Sequence, residues 1–136
     1  NNRGFITTVL GRKCRFNLFE PRFDRETPLP HSDALEKYGE DIKRAFTYKA
    51  MNRLIQGSAA DMTKKAMVDL YKEGILPHTQ IHDELDISVS SIEDCEKIIQ
   101  IMADCVPLVV PNKVDAEIGH SWGTAVENYK EFYNGR

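Results

Sequence analysis

Hydrophobic and polar positions alternate near the start of the chain. Residues 4 to 10 are rich in Phe, Ile, Thr and Val, Gly11-Arg12-Lys13 turns the chain, and Cys14 to Leu18 supplies a second β-prone run. The pattern predicts a small β-hairpin with a basic tip. Prolines between positions 21 and 30, together with Asp24 and Glu26, predict a surface loop, and Ser32-Asp33 are placed to cap an exposed, polar helix from about Ala34. From Phe46 to Tyr71 there is no proline, and Ile55, Ala59, Met62, Ala66 and Leu70 recur at three- and four-residue steps, the signature of a long helix with one buried face. Ser58 and Asp61 have capping-box spacing, which predicts a start or kink near Gly57, and Gly74 and Pro77 end the helix.

Alternation returns downstream. Residues 78 to 82 and 85 to 90 read as the two strands of an antiparallel hairpin, followed by a helix capped by Ser91 or Ser90 with Ile92, Cys95, Ile98, Ile99 and Met102 inward, ending at Pro107. Lys113 to Ile118 reads as a strand, Gly119 to Gly123 as a loop and Thr124 to Tyr133 as a terminal helix. The order of elements predicts an α+β fold: antiparallel β-hairpins or a sheet backed by helices, with an N-terminal β-hairpin and a long central helix. No internal repeat or low-complexity segment interrupts this order.

Composition narrows the picture modestly. The 136 residues are one domain's length, and no stretch is apolar for long enough to span a bilayer, so no membrane partner is expected. The opening Asn1-Asn2-Arg3 carries no initiator Met and no signal-like apolar run, as expected of a piece of a longer protein. Cys14, Cys95 and Cys105 are odd in number and lack Cys-x-x-Cys spacing, which fits ordinary thiols in a reducing, cytoplasmic setting better than a disulfide framework or a zinc site. The net charge of −3 hides an asymmetry: residues 1 to 72 hold 14 Lys/Arg against 9 Asp/Glu, and residues 73 to 136 hold 4 against 12. A basic N-terminal part could follow a phosphate backbone while the acidic part holds metal.

The candidate chemistry sits in His82-Asp83-Glu84, between the two predicted strands of the second hairpin. Two adjacent carboxylates at a turn can share a divalent cation, and Mg²⁺ is commonly held by one or two carboxylates plus substrate phosphates. Taken alone, such a dipeptide is more often a solvated surface turn. A second signature lies upstream, in Met51-Asn52-Arg53-Leu54-Ile55-Gln56-Gly57-Ser58-Ala59-Ala60-Asp61-Met62, followed by Gln80-Ile81-His82-Asp83-Glu84-Leu85. The two runs, in this order, resemble the C-terminal palm of family A DNA polymerases, the DNA polymerase I and phage replicase group. Gly4 to Lys13 and Val114 to Trp122 are similar to that family as well, whereas no motif in residues 20 to 44 assigns that stretch to it.

The resemblance implies a division into residues 1–45, the end of a fingers-like segment with a basic hairpin and loop, and residues 46–136, the C-terminal palm segment. It implies a DNA-directed DNA polymerase that uses two Mg²⁺ ions to transfer nucleotides onto a primer 3′ end, with primer-template DNA and deoxynucleoside triphosphates as partners, in bacterial or phage-infected cytoplasm. By that resemblance Asp83 is a metal ligand, Glu84 an assisting acid at the same site, and His82 a residue beside the primer terminus. Asn52 and Gln56, four residues apart, would point amides from one helix face toward minor-groove acceptors, which every base pair offers. Arg12 and Lys13 match the family's basic pair and would contact phosphates. Asp61 reads as a cap or structural hydrogen-bonding group, Trp122 as a core anchor, and His31, His78 and His120 have no ligand spacing.

Parts of the family pattern are missing. No Asp-Tyr-Ser-like strand supplies the second metal-binding aspartate, no fingers helix grips a triphosphate, and Tyr48 stands where many members carry Arg. The chain alone is therefore expected to be inactive, and to need a separate polypeptide with the rest of the polymerase or to self-associate as a homodimer through exposed sheet or apolar surface. Two rivals stay open: a non-catalytic duplex-DNA-binding module or inert fragment, and a metal-dependent phosphodiesterase built on Asp83, Glu84 and Asp86.

Overall fold

The computed structural model describes residues 4–135. The elements are short antiparallel strand pairs and a long central helix, as an α+β reading of the pattern anticipates. Two compact units divide the chain at the middle of that helix, Asn1–Ala59 and Ala60–Arg136. Among the described residues no helix is long and apolar enough to cross a membrane.

In the first unit, β1 (Phe5–Thr7) pairs with β2 (Lys13–Arg15) in the register Phe5 to Arg15, with Gly11 at φ 88° in the connecting turn. The stretch read as a loop between positions 21 and 30 and a helix from about Ala34 instead forms, with Leu18 to Glu20, a three-stranded sheet in the order β4 (Leu29–Pro30), β3 (Leu18–Pro21), β5 (Ile42–Arg44), with helix α1 (His31–Tyr38) between β4 and β5 in the chain. The prolines that argued for a loop sit at strand ends, where a missing N–H leaves no ladder bond unmade. Helix α1 starts at His31, three residues before the expected position, because Pro30 leads directly into it. No side chain caps it, and the Ser32 hydroxyl donates to Asp33 instead. Phe19 stands edge-on to His31, its ring also lies under the Arg44 guanidinium, and Arg44 donates to the Phe16 carbonyl at 2.8 Å. Phe16, Ala34 and Ala45 are the buried apolar positions of this unit.

A 3₁₀ turn at Thr47–Lys49 leads into α2 (Ala50–Lys72), which runs unbroken through Gly57. The kink expected from Ser58 and Asp61 is absent because Ser58 is engaged elsewhere: its hydroxyl accepts the Val9 N–H at 3.1 Å. Around it the β1–β2 turn clamps the helix, with Arg12 donating to the Gly57 carbonyl at 2.8 Å and the Arg53 guanidinium lying over Phe16. Gly57 permits this approach, since a Cβ there would sit 2.9 Å from the Thr8 methyl. The buried stripe of α2 also differs from the expected one. Ala66 and Leu70 are buried as anticipated, but Ile55 is 58% exposed and Ala59 is exposed.

In the second unit, Gly74 at φ 77° ends the helical stretch, and β6 (Thr79–Ile81) pairs with β7 (Glu84–Asp86), closing Ile81 against Glu84. Helix α3 (Ile92–Asp104) is capped by Ser91, whose hydroxyl accepts the Asp94 N–H at 3.2 Å, while Ser90 N–H donates back to the Asp94 carboxylate. Cys95 and Ile98 are buried, and Ile92, Ile99 and Met102 half-buried, the face that the spacing predicts. Burial pushes the Cys95 and Cys105 thiols up from their ordinary range, away from the thiolate.

The C-terminal elements are shorter than expected. Only Glu117–Ile118 (β8) of the predicted strand is paired, against β9 (Glu127–Asn128), and the terminal helix α4 (Tyr129–Asn134) begins five residues late because Asn128 caps it by accepting the Lys130 N–H. Ser121 and Thr124 bond reciprocally around a 3₁₀ turn at Trp122–Thr124, which the Gly119 backbone touches so closely that a Cβ would lie 2.1 Å from the Thr124 carbonyl oxygen. That turn carries Trp122 outward: at 67% exposure it is not the core anchor expected of a lone Trp.

Substitutions at two positions test these arguments. Gly57→Ala, favourable by about 1 kcal/mol on helix propensity alone, is expected to lower the thermal midpoint by a few degrees, because the Cβ displaces Thr8 from the helix; a raised midpoint in a melting experiment would contradict the clamp. At the β6–β7 turn His82 has φ 54°, so His82→Val is expected to cost roughly 1–2 kcal/mol and His82→Gly nothing or less. Hydrogen exchange of the Thr79–Asp86 ladder reads both, and equal protection in the two variants would rule out strain at the turn.

Candidate functional site

The hairpin of the second unit gives its acidic residues distinct environments. Only two residues, His82 and Asp83, lie between the paired Ile81 and Glu84. The tightness of the turn forces His82 into the left-handed region, an uncommon conformation for a side chain larger than glycine and one that recurs at functional sites. Gln80 braces it by donating from Nε2 to the His82 carbonyl at 2.6 Å. The ladder continues outward through His78, whose N–H donates to the Asp86 carbonyl and whose ring nitrogen bonds the Ser88 hydroxyl at 2.8 Å. His78, without ligand spacing in the sequence, thus has a structural place. Gln80 was not singled out from the sequence; a long amide two residues before an acidic turn is the signal that could have found it.

Strand alternation puts Glu84 and Asp86 on one face with Thr79 and Ile81, and Leu85 on the other with Gln80. Asp83 belongs to neither face; it sits at the tip, exposed beside His82 and Glu84. Glu84 and Asp86 border a groove of about 800 Å³ between the hairpin, the inner face of α3 and residues 114 to 122, with Ile98, Val114 and Ile118 in its wall. Asp83 and His82 are not in that wall.

These donors fit a hard cation in kind, since both are carboxylate oxygens and both are exposed. They do not complete a site: among the described residues no group of three or more His, Cys, Asp or Glu side chains comes together to hold a metal. Among the described residues Asp83, Glu84 and Asp86 therefore do not form a three-carboxylate cluster. The residues present suit one or two ligands of a Mg²⁺ that takes its remaining oxygens from substrate.

In the first unit, Asn52 and Gln56 lie one turn apart on α2, both exposed. The hairpin holds the helix by Arg53, Gly57 and Ser58, so the amides lie outside that contact. The two basic residues of the β1–β2 turn differ in role. Arg12 is tied by one guanidinium nitrogen to Gly57, whereas the Lys13 ammonium stands 4.9 Å over the Phe5 ring and is exposed. Asp61 is only 7% exposed in the interior of a continuous helix, so it is a structural polar group and not a helix cap.

Charge follows the two units. Residues 1 to 59 hold 11 Lys/Arg against 7 Asp/Glu, and residues 60 to 136 hold 7 against 14. The amide-bearing helix segment belongs to the basic unit, and the carboxylate hairpin to the acidic one.

Comparison with known proteins gives this arrangement a context. Residues 1–124 match the model of DNA polymerase family A. The chain is 41% identical over 120 residues to a DNA-directed DNA polymerase of Pseudomonas phage M6, covering 88% of this chain and 15% of that protein. It is 45% identical over 129 residues to DNA polymerase I of Bacillus subtilis (strain 168), covering 88% and 13%, and 32% identical over 133 residues to the thermostable DNA polymerase I of Thermus aquaticus, covering 92% and 16%. The chain thus spans about one seventh of the length of these relatives. With the family match running through both the amide helix and the His-Asp-Glu hairpin, the chain belongs to DNA polymerase family A.

Proposed function

We propose that this chain is the C-terminal palm segment of a DNA-directed DNA polymerase, with residues 1–45 as the end of a fingers-like segment and residues 46–136 as palm. The observation that carries the reading is the two-residue β6–β7 turn, which holds Asp83 and Glu84 side by side and exposed within a family A match. In this role Asp83 contributes a carboxylate to catalytic Mg²⁺, Glu84 assists from the adjacent position, and His82 lies beside the primer terminus. Asp83 and Glu84 would hold Mg²⁺ from this chain's side, and the bound metal would supply stabilisation of the charge that develops on oxygen during nucleotidyl transfer. The primer-template duplex would run along α2, where Asn52 and Gln56 donate to minor-groove acceptors present in every base pair, and Arg12 and Lys13 contact phosphates.

Two carboxylates are fewer than a two-ion site needs, so the remaining ligands come from elsewhere and the chain alone does not polymerise. The partner is a polypeptide or segment carrying the first metal-binding aspartate and the nucleotide-gripping helix. Large apolar side chains left bare in the second unit, Val109, Val110, Trp122 and Val126, supply surface for such a partner or for a second copy of the chain. A duplex-binding module without catalysis is the rival reading, favoured by the lack of a complete ligand cluster among the described residues.

Primer extension with Mg²⁺ and all four deoxynucleotides separates them. The chain alone is expected to be inactive, its mixture with a polypeptide carrying the rest of the polymerase active, and the same mixture with Asp83→Ala reduced by roughly 10²- to 10³-fold. Extension that survives Asp83→Ala at full rate would remove Asp83 from the metal site, and no extension in any mixture would favour the binding module.

A further inference from the structure

Within the first unit, the hairpin and the first half of α2 carry no acid at all. Residues 4–19 and 42–59 contain seven Lys/Arg and no Asp or Glu, in a protein of 29% charged residues. The helix uses Arg53, Gly57 and Ser58 to meet the hairpin. Exposed Tyr48 in the preceding 3₁₀ turn and Met51, Asn52, Ile55 and Gln56 in the helix recur at helical spacing and carry no charge, with exposed Lys49 beside Tyr48. Tyr48 is 79%, Met51 67% and Ile55 58% exposed, so three large apolar side chains flank the two amides in open solvent. Soluble surfaces seldom leave such a row bare without an occupant.

We propose that Tyr48, Met51 and Ile55 form an apolar contact strip for the sugar walls of a nucleic-acid duplex, alongside the amides of Asn52 and Gln56. This rests on the duplex reading of those amides given above and adds the residues that supply affinity without charge. The surroundings select the occupant. Lys13, Arg15 and Lys49 are exposed around an acid-free surface, which favours a polyanion over an ordinary protein partner. Deoxyribose offers apolar edges between phosphates, so uncharged side chains can press on it while the cations meet the phosphates. The strip should therefore add affinity that salt does not screen, whereas each phosphate contact adds a counterion-release dependence.

Fluorescence anisotropy of a labelled primer-template duplex, titrated with the chain at several salt concentrations, tests this directly. Tyr48→Ala and the double variant Met51→Ala/Ile55→Ala are each expected to weaken binding roughly five- to tenfold at every salt concentration. The slope of log Kd against log salt should not change. Lys13→Ala, as the charged control, should lower that slope by about 0.9. Tyr48→Phe should bind within about twofold of the parent, because the ring and not the hydroxyl makes the contact. Circular dichroism checks that the variants keep their helix content, which the exposure of these side chains favours. Unchanged binding in the apolar variants, with binding lost in Asn52→Ala/Gln56→Ala, would overturn the strip and leave the amide reading standing. A reduced salt slope for Tyr48→Ala would also overturn it, by showing a contact made through charge. Failure of the parent chain to bind, or binding indifferent to the amide variant, would overturn the duplex reading and the strip with it.

Discussion

The two-residue turn between β6 and β7 is the constraint on which the account of the site depends. With Ile81 paired to Glu84, no slack remains to move Asp83 away from the tip, and His82 must take a backbone conformation that a free chain of this sequence would seldom adopt. Strain of this kind persists where neighbours over-determine it. Here the Gln80 amide on the His82 carbonyl and the bonds of His78 to Asp86 and Ser88 hold the turn. The reward is a fixed pair of adjacent, exposed carboxylates, one projecting from the end of the hairpin and one from the first position of its returning strand.

A second close approach orders the other unit. Gly57 lets the β1–β2 turn reach the backbone of α2, and Arg12, Val9 and Ser58 bond across that contact. One face of the helix is thereby occupied by a structural clamp, and the amides of Asn52 and Gln56 stay outside it. The same glycine that costs helix propensity thus divides the helix into an anchored side and an open one. Arg12, half of the basic pair, spends part of its hydrogen-bonding capacity on the clamp, which leaves Lys13 as the freer cation of the turn.

Much of this was legible in the residue pattern. The N-terminal hairpin, the long helix, the His-Asp-Glu hairpin and the Ser91-capped helix each follow from a local signal strong enough to act alone: alternation, a proline-free three-and-four spacing, or a cap. The three-stranded sheet of residues 18 to 44 was not legible, because Pro21 and Pro30 read as loop until strand ends are known, and because β4 and β5 are paired through β3 across intervening chain. Trp122 and the supposed break at Gly57 were misread for a related reason. In each the deciding contact, the Gly119 backbone against the 3₁₀ turn and Ser58 with the Val9 amide, joins residues that no local rule connects. For the site, residue types and order placed Asp83 and Glu84 at the turn of a hairpin, whereas the bracing by Gln80 required the hairpin's register.

The central claim is that the hairpin tip holds a divalent cation through Asp83. Mn²⁺ titrated into isotope-labelled chain, with amide resonances followed by NMR, reads it most directly, because the paramagnetic ion broadens signals close to where it binds. The account predicts that His82, Asp83 and Glu84 broaden first and that Asp83→Asn abolishes that selectivity while leaving the β6–β7 cross-strand signals intact. Broadening centred on another acidic segment such as Glu93-Asp94, or tip broadening that persists in Asp83→Asn, would contradict it.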